Sequence, residues 1–213
     1  MLTTLPSTYT TMTRLRELRL SKNKFKKIPE CILALTDLRC LDMDSNVLKT
    51  IPDAIASMTG LRVLRLSSNR LKTLPESVNS LTGLQELYIA RNRFETLDVD
   101  WSSTRAPIFT GLSLTVLDVA GNKRLTTLPA SIGALGPTLE RLELRNCSLL
   151  RTLPGQLTML TQLQFLGHQL RHPATPSFCA WMAALHARDK RVRAVGYRGS
   201  ERRFELVQSS IIS

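Results

Sequence analysis

Residues 61–81 read LRVLRLSSNRLKTLPESVNSL. The same string, with conservative changes, stands at 15–35 (LRELRLSKNKFKKIPECILAL) and at 38–58 (LRCLDMDSNVLKTIPDAIASM). The shared pattern is L-x-x-L-x-L-x-x-N-x-L-x-x-L-P-x-x-I-x-x-L. Its first leucines fall at Leu15, Leu38, Leu61, Leu84, Leu114, Leu139 and Leu163, spaced by 23, 23, 23, 30, 25 and 24 residues. A fixed period of this length marks a stacked array, because one copy cannot bury its own apolar face.

Each position of the pattern has a physical reason. In L-x-L the leucines point to one side of a short strand and the residue between them to the other. The Asn column, Asn23, Asn46, Asn69, Asn92 and Asn122, supplies a side chain able to pair backbone groups of the following bend that burial would otherwise leave unpaired. Cys147 holds the sixth place with a weak S–H donor. Proline at 29, 52, 75, 129 and 154 fixes φ where the chain turns onto the outer side, and Glu30, Asp53 and Glu76 suit the start of a short helical turn.

These motifs resemble the leucine-rich repeat family, in the type with about 23 residues per copy found in Ras-suppressor and scribble-type scaffolds. The resemblance covers residues 2–173. It implies an α/β repeat solenoid: a curved horseshoe with a concave parallel β-sheet, short helical or irregular convex segments and a C-terminal capping helix. It also implies use as a protein-binding surface.

Around this frame the chain is 213 residues long, 43% hydrophobic, 22% charged and only 5% aromatic, with a formal net charge of +12. That composition excludes a disordered chain and points to an aliphatic core. No apolar run reaches the roughly 18 residues of a membrane span. The N-terminus lacks a basic segment followed by an apolar one, and Cys31, Cys40, Cys147 and Cys179 lack a metal-binding spacing. An intracellular, cytoplasmic location is expected.

The departures from the pattern are local. The start, LTTLPSTYTTMTRL, matches the second half of a copy through Leu2, Leu5, Pro6, Tyr9, Met12 and Leu15, without a polar cap. Either a partner covers that end, or the chain is a piece of a longer signalling or effector protein. The fourth copy has Asp98 in place of proline and Trp101 at an apolar position, and gains seven residues, an insertion near 98–113. A convex bulge with Trp101, Ile108 and Phe109 in the core is expected, with a protruding partner loop as the alternative. Copies five and six carry one extra residue in the bend. The boundaries are then 1–173 for the solenoid, about six full copies plus partial terminal ones, and 174–213 for a cap helix and basic tail. Phe178, Trp181, Met182 and Leu185 form the apolar stripe of that helix. KRVRAVGY and RRFELVQ read as a two-stranded unit or a partly ordered tail.

The pattern assigns the concave side chains. Candidate partner-binding residues are Asp42, Asp44, Arg65, Glu86, Tyr88, Asp118, Glu143 and Arg145, with Tyr88 the best anchor because it joins a rigid apolar body to a polar tip. The face as a whole carries a net −2, so the positive charge lies elsewhere. The bends hold Lys24, Lys26, Lys27, Lys49, Arg70, Lys72, Arg93, Lys123, Arg124 and Arg151 against Glu95 alone, a net +9 along one rim. The tail adds Arg188, Lys190, Arg191, Arg193, Arg198, Arg202 and Arg203 against Asp189 and Glu201.

Two functional readings follow. The first is a non-catalytic interaction module or scaffold that binds a protein on the concave face. The second is a basic structural component of a ribonucleoprotein or other acidic assembly, docked by rim and tail. No phosphate loop, zinc-protease or nucleophile-elbow motif is present. His168 and His172 with Cys179 offer an incomplete zinc set, and capping roles fit them better. No enzyme, cofactor or small-molecule substrate is implied.

Overall fold

The computed structural model describes residues 1–97 and 107–168, together with a strand at 193–195. Seven copies of the motif each supply a three-residue strand: β1 Glu17–Arg19, β2 Cys40–Asp42, β3 Val63–Arg65, β4 Glu86–Tyr88, β5 Val116–Asp118, β6 Arg141–Glu143 and β7 Phe165–Gly167. They pair in chain order, all parallel, in one open curved sheet. An eighth strand, β8 Arg193–Val195, pairs parallel with β7. The sheet thus continues past residue 173, and the R-A-V segment joins it directly where a two-stranded unit or tail was expected.

The register sets the core. Leu41, Leu64, Leu87, Leu117, Leu142 and Leu166 stand opposite one another on neighbouring strands and are fully buried. Each such leucine contributes about 1.5–3 kcal/mol by burial. Phe25, Leu48, Leu71, Phe94, Leu125 and Leu150 add a second buried column.

On the convex side the prolines act alike. The proline carbonyl accepts a hydrogen bond from the N–H three residues on: Ile32 to Pro29, Ile55 to Pro52, Val78 to Pro75, Ile132 to Pro129 and Leu157 to Pro154, at 3.0–3.2 Å. Single turns of 3₁₀ helix result at Asp53–Ser57, Glu76–Ser80, Ala130–Leu135 and Gly155–Met159, and one α-helical turn at Glu30–Leu33. The same bond joins Tyr9 to Pro6, so residues 7–11 repeat the convex turn of a half copy, as the sequence indicates. That half copy is tied on by Leu2 N–H to Asn23 Oδ1 (2.7 Å) and Lys24 N–H to the Leu2 carbonyl (2.8 Å).

The Asn column forms a ladder through the interior. Asn69 donates to the Met43 and Leu66 carbonyls at 2.9 and 3.0 Å, and its Oδ1 accepts the Leu48 N–H at 3.0 Å. Asn46 and Asn92 repeat the scheme, and Asn122 accepts the Asn92 N–H while donating to Ile89 and Val119. Cys147 holds the same place, its Sγ donating to the Val119 carbonyl at 3.4 Å and meeting the backbone of Gly121 and Asn122.

Of the insertion, Ile108 and Phe109 are fully buried, and Asn79 clasps the segment through Pro107 O (3.0 Å) and Phe109 N–H (2.9 Å). Asp98 and Trp101 lie outside the described residues. So do the capping helix, His172, Cys179, and Arg188, Lys190, Arg191, Arg202 and Arg203 of the tail; of Arg193 only the strand backbone is described. The extra residues of copies five and six form turns closed by Leu125 N–H to Asn122 O and Leu150 N–H to Cys147 O.

Candidate functional site: the concave sheet and the basic rim

The concave face is built from the two residues flanking the central leucine of each strand and from the position beyond the strand. At its centre Arg65, Glu86 and Tyr88 form one cluster. The Arg65 guanidinium lies 4.4 Å from the Tyr88 ring centroid, the Tyr88 hydroxyl donates to Glu86 Oε2 at 2.8 Å, and Arg65 faces the same carboxylate at 3.9 Å. Burial and the Glu86 hydrogen bond hold the Tyr88 hydroxyl above its ordinary pKa, so it stays a donor. Val63 and Val116 flank Glu86 in the adjoining row. An aromatic body held by its neighbours while part of its surface faces solvent is a pre-ordered contact.

The carboxylates on this face are engaged with backbone. Asp42 Oδ1 accepts the Asp44 N–H (2.9 Å), Asp44 Oδ1 accepts the Ser67 N–H (2.6 Å), and Asp118 Oδ1 accepts the Ala120 N–H (3.0 Å). Burial raises the pKa of Asp44 and of Asp118, against those hydrogen bonds, which act in the other direction.

Glu143 differs from the sequence reading. It faces the concave side but is only 3% exposed. Arg145 grips its two oxygens at 2.7 and 2.8 Å, Arg141 approaches at 3.6 Å, and Gly167 on the next strand leaves the room its carboxylate occupies. Glu143 is therefore a strut for Arg145 and not a free contact. Arg141 also stacks on Phe165 at 4.1 Å, a second aromatic–cation pair that the pattern places on this face without showing the contact.

The bends stack on one side of the solenoid, joined by a ladder of backbone bonds: Lys24 to Leu2, Val47 to Phe25, Arg70 to Leu48 and Arg93 to Leu71. Lys27 pairs with Glu30 and Arg124 with Glu95, both between well-exposed partners, which adds little stability. The structure adds two cations to this rim. Lys22 and Arg91 occupy the position before Asn, at φ 57° and 53°, in a column that also includes Ser45, Ser68, Gly121 and Asn146. The recurrence of x-N at the end of each strand was the available signal for them.

Two cations of the opposite rim are used internally. Arg39 Nη1 donates to the Gly60 carbonyl (3.3 Å) and Arg62 Nη1 to the Gly83 carbonyl (2.9 Å), each reaching the next copy. His168 is partly buried, and that burial lowers the pKa of its imidazole. Among the described residues no three His, Cys, Asp or Glu side chains converge as a metal site, and no helix is long and apolar enough to cross a membrane.

Parallel strands in chain order, with an asparagine ladder beneath and proline-started turns behind, define a repeat solenoid with one open sheet face. Family models described as leucine-rich repeats match residues 13–56, 59–101 and 113–135. The chain belongs to the leucine-rich repeat family. No curated protein matches it in sequence. Among solved structures it is similar to the ectodomain of the Arabidopsis thaliana receptor kinase GASSHO1/SCHENGEN3 bound to Casparian strip integrity factor 2, at 25% identity over 91% of this chain and 23% of that one, TM-score 0.62. The plant peptide hormone receptor RGFR1 in complex with RGF2 matches at 26% identity over 78% of this chain and 31% of the receptor, TM-score 0.56. FLRT2 in its octameric complex with latrophilin 3 and Unc5D shares the fold, at 22% identity over 92% of this chain and 67% of that one, TM-score 0.67. The chain thus spans about a quarter to a third of the two plant receptors.

Proposed function

We propose that the protein is a non-catalytic interaction module, a scaffold that binds a partner protein on the concave sheet with Tyr88 as the central anchor. The observation that carries this reading is the Arg65–Tyr88–Glu86 cluster, in which cation, ring and carboxylate fix one another at 4.4 and 2.8 Å while staying open to solvent. Ordering such a group before binding lowers the entropy lost on association. Partner complexes of the repeat domains of similar fold support the same use of the surface. The free thiols of Cys31, Cys40 and Cys147 fit a reducing, intracellular setting.

The test is affinity capture with the tagged chain beside two variants, Tyr88→Ala and the double change Asp42→Arg with Tyr88→Ala. A protein retained by the wild type and lost by both variants supports the reading. Equal capture by all three, with circular dichroism unchanged, overturns it.

A further inference from the structure

We propose that the basic rim binds the phosphate backbone of duplex nucleic acid without reading its sequence. Lys24, Lys26, Lys49, Arg70, Lys72 and Arg93 carry the site. They lie in consecutive bends, and the backbone ladder through Leu2, Phe25, Leu48 and Leu71 fixes those bends one behind another. Successive copies stand about 5 Å apart, so the cations form a row held by the fold itself.

Three observations point to this ligand. First, no side chain of the six makes a hydrogen bond or ion pair within the described residues, whereas Arg39 and Arg62 on the other rim are spent on the Gly60 and Gly83 carbonyls. The charge on the bend rim is not used to hold the fold. Second, in the bends that hold Lys49, Arg70, Lys72 and Arg93 the exposed side chains between the cations are small and polar, Thr50 and Thr73, and the exposed Leu2 lies at the far end beside Lys24. Those bends offer no apolar seat for the anchoring side chains of a protein partner. Third, the aromatic residues of the same bends, Phe25 and Phe94, are wholly buried. Single strands are held by stacking bases on exposed rings, which this rim lacks among the described residues. A duplex keeps its bases stacked inside and displays phosphates, the one group a row of Lys and Arg can meet.

The test is fluorescence anisotropy of the full chain with labelled duplex RNA and duplex DNA of two unrelated sequences each. Salt is varied between about 50 and 200 mM, and single strands, anionic vesicles and polyglutamate serve as competitors. The expected result is sequence-independent duplex binding whose log K falls with log salt at a slope of about −4, for four to five phosphates contacted. The variant Arg70→Gln, Lys72→Gln, Arg93→Gln removes only solvent-facing groups. It loses tenfold or more in affinity and about 3 from the magnitude of the slope, while Tyr88→Ala binds as the wild type does. The proposal is overturned if the rim variant keeps wild-type affinity and slope, which would assign any binding to the tail. It is also overturned if duplexes fail to bind at the low-salt end, or if vesicles or polyglutamate compete as well as duplex at equal charge.

Discussion

The carboxylate of Glu143 occupies the space that a side chain on Gly167 would take, one strand away. Arg145 closes over the same carboxylate with two hydrogen bonds at 2.7 and 2.8 Å. Glycine at 167 and a nearly buried acid at 143 are thus one device. Gly167→Ala forces the carboxylate outward and is expected to cost about 1–2 kcal/mol in urea unfolding. In a Glu143→Ala background the same change meets no obstacle. A double-mutant cycle gives a coupling of about 1 kcal/mol if the two act together, and none if they do not.

The asparagine ladder predicts a graded response. Asn69→Ala strands the Leu48 N–H in the buried interior and takes one of two asparagine donors from each of the Met43 and Leu66 carbonyls, and a loss of about 2 kcal/mol is expected. Asn23 is only part-buried, and its amide donates to Leu20 and Ser21 of its own copy alone, so Asn23→Ala costs about 1 kcal/mol. Chemical unfolding of the two variants under one set of conditions checks the order.

Asp118 makes stability depend on pH in a defined direction. Burial raises its folded pKa above the unfolded value, so the charged form is penalised in the native state. That penalty is fully present above the folded pKa and fades as the pH falls through it. Asp118→Asn keeps an oxygen for the Ala120 N–H and removes the charge. The variant melts higher than the wild type near pH 7, and the two curves converge below about pH 3.9. Parallel curves at all pH values would contradict this assignment.

Cysteine reactivity separates the thiols. Burial pushes the Cys147 thiol up to about 11, and its side chain is enclosed. Cys40 lies half-buried on the concave face, where burial raises its thiol less and leaves it reachable. Iodoacetamide at pH 8 is expected to label Cys40 in the native protein and Cys147 only after unfolding, as mass spectrometry of the peptides would show.

Much of the fold was legible because the period is written into fixed positions. The buried leucine column, the proline turns and the half copy before Leu15 each follow from a residue type recurring at one place. The site was legible to the level of which side chains face the concave surface, and no further. Glu143 read as an exposed acid because its burial depends on Gly167, which lies 24 residues on in the next copy. Lys22 and Arg91 were missed as rim cations because a left-handed backbone, invisible in residue type for lysine and arginine, turns them out of the strand. β8 carries no L-x-x-L spacing, so only the pairing with Phe165, Leu166 and Gly167 reveals it.

The cysteine in the asparagine column has a mechanical consequence. Along a one-dimensional stack, cooperativity passes only from neighbour to neighbour, and it is broken at the feeblest junction. At Cys147 a thiol that donates to the Val119 carbonyl at 3.4 Å and meets the Gly121 and Asn122 backbone through weak sulfur bonds replaces the four bonds that Asn69 makes, so the spine is weaker between β5 and β6. The copies beyond it are expected to open before the rest of the stack melts. Hydrogen exchange then runs faster in β6 and β7 than in β3, and Cys147→Asn brings the two rates together by restoring the missing rung.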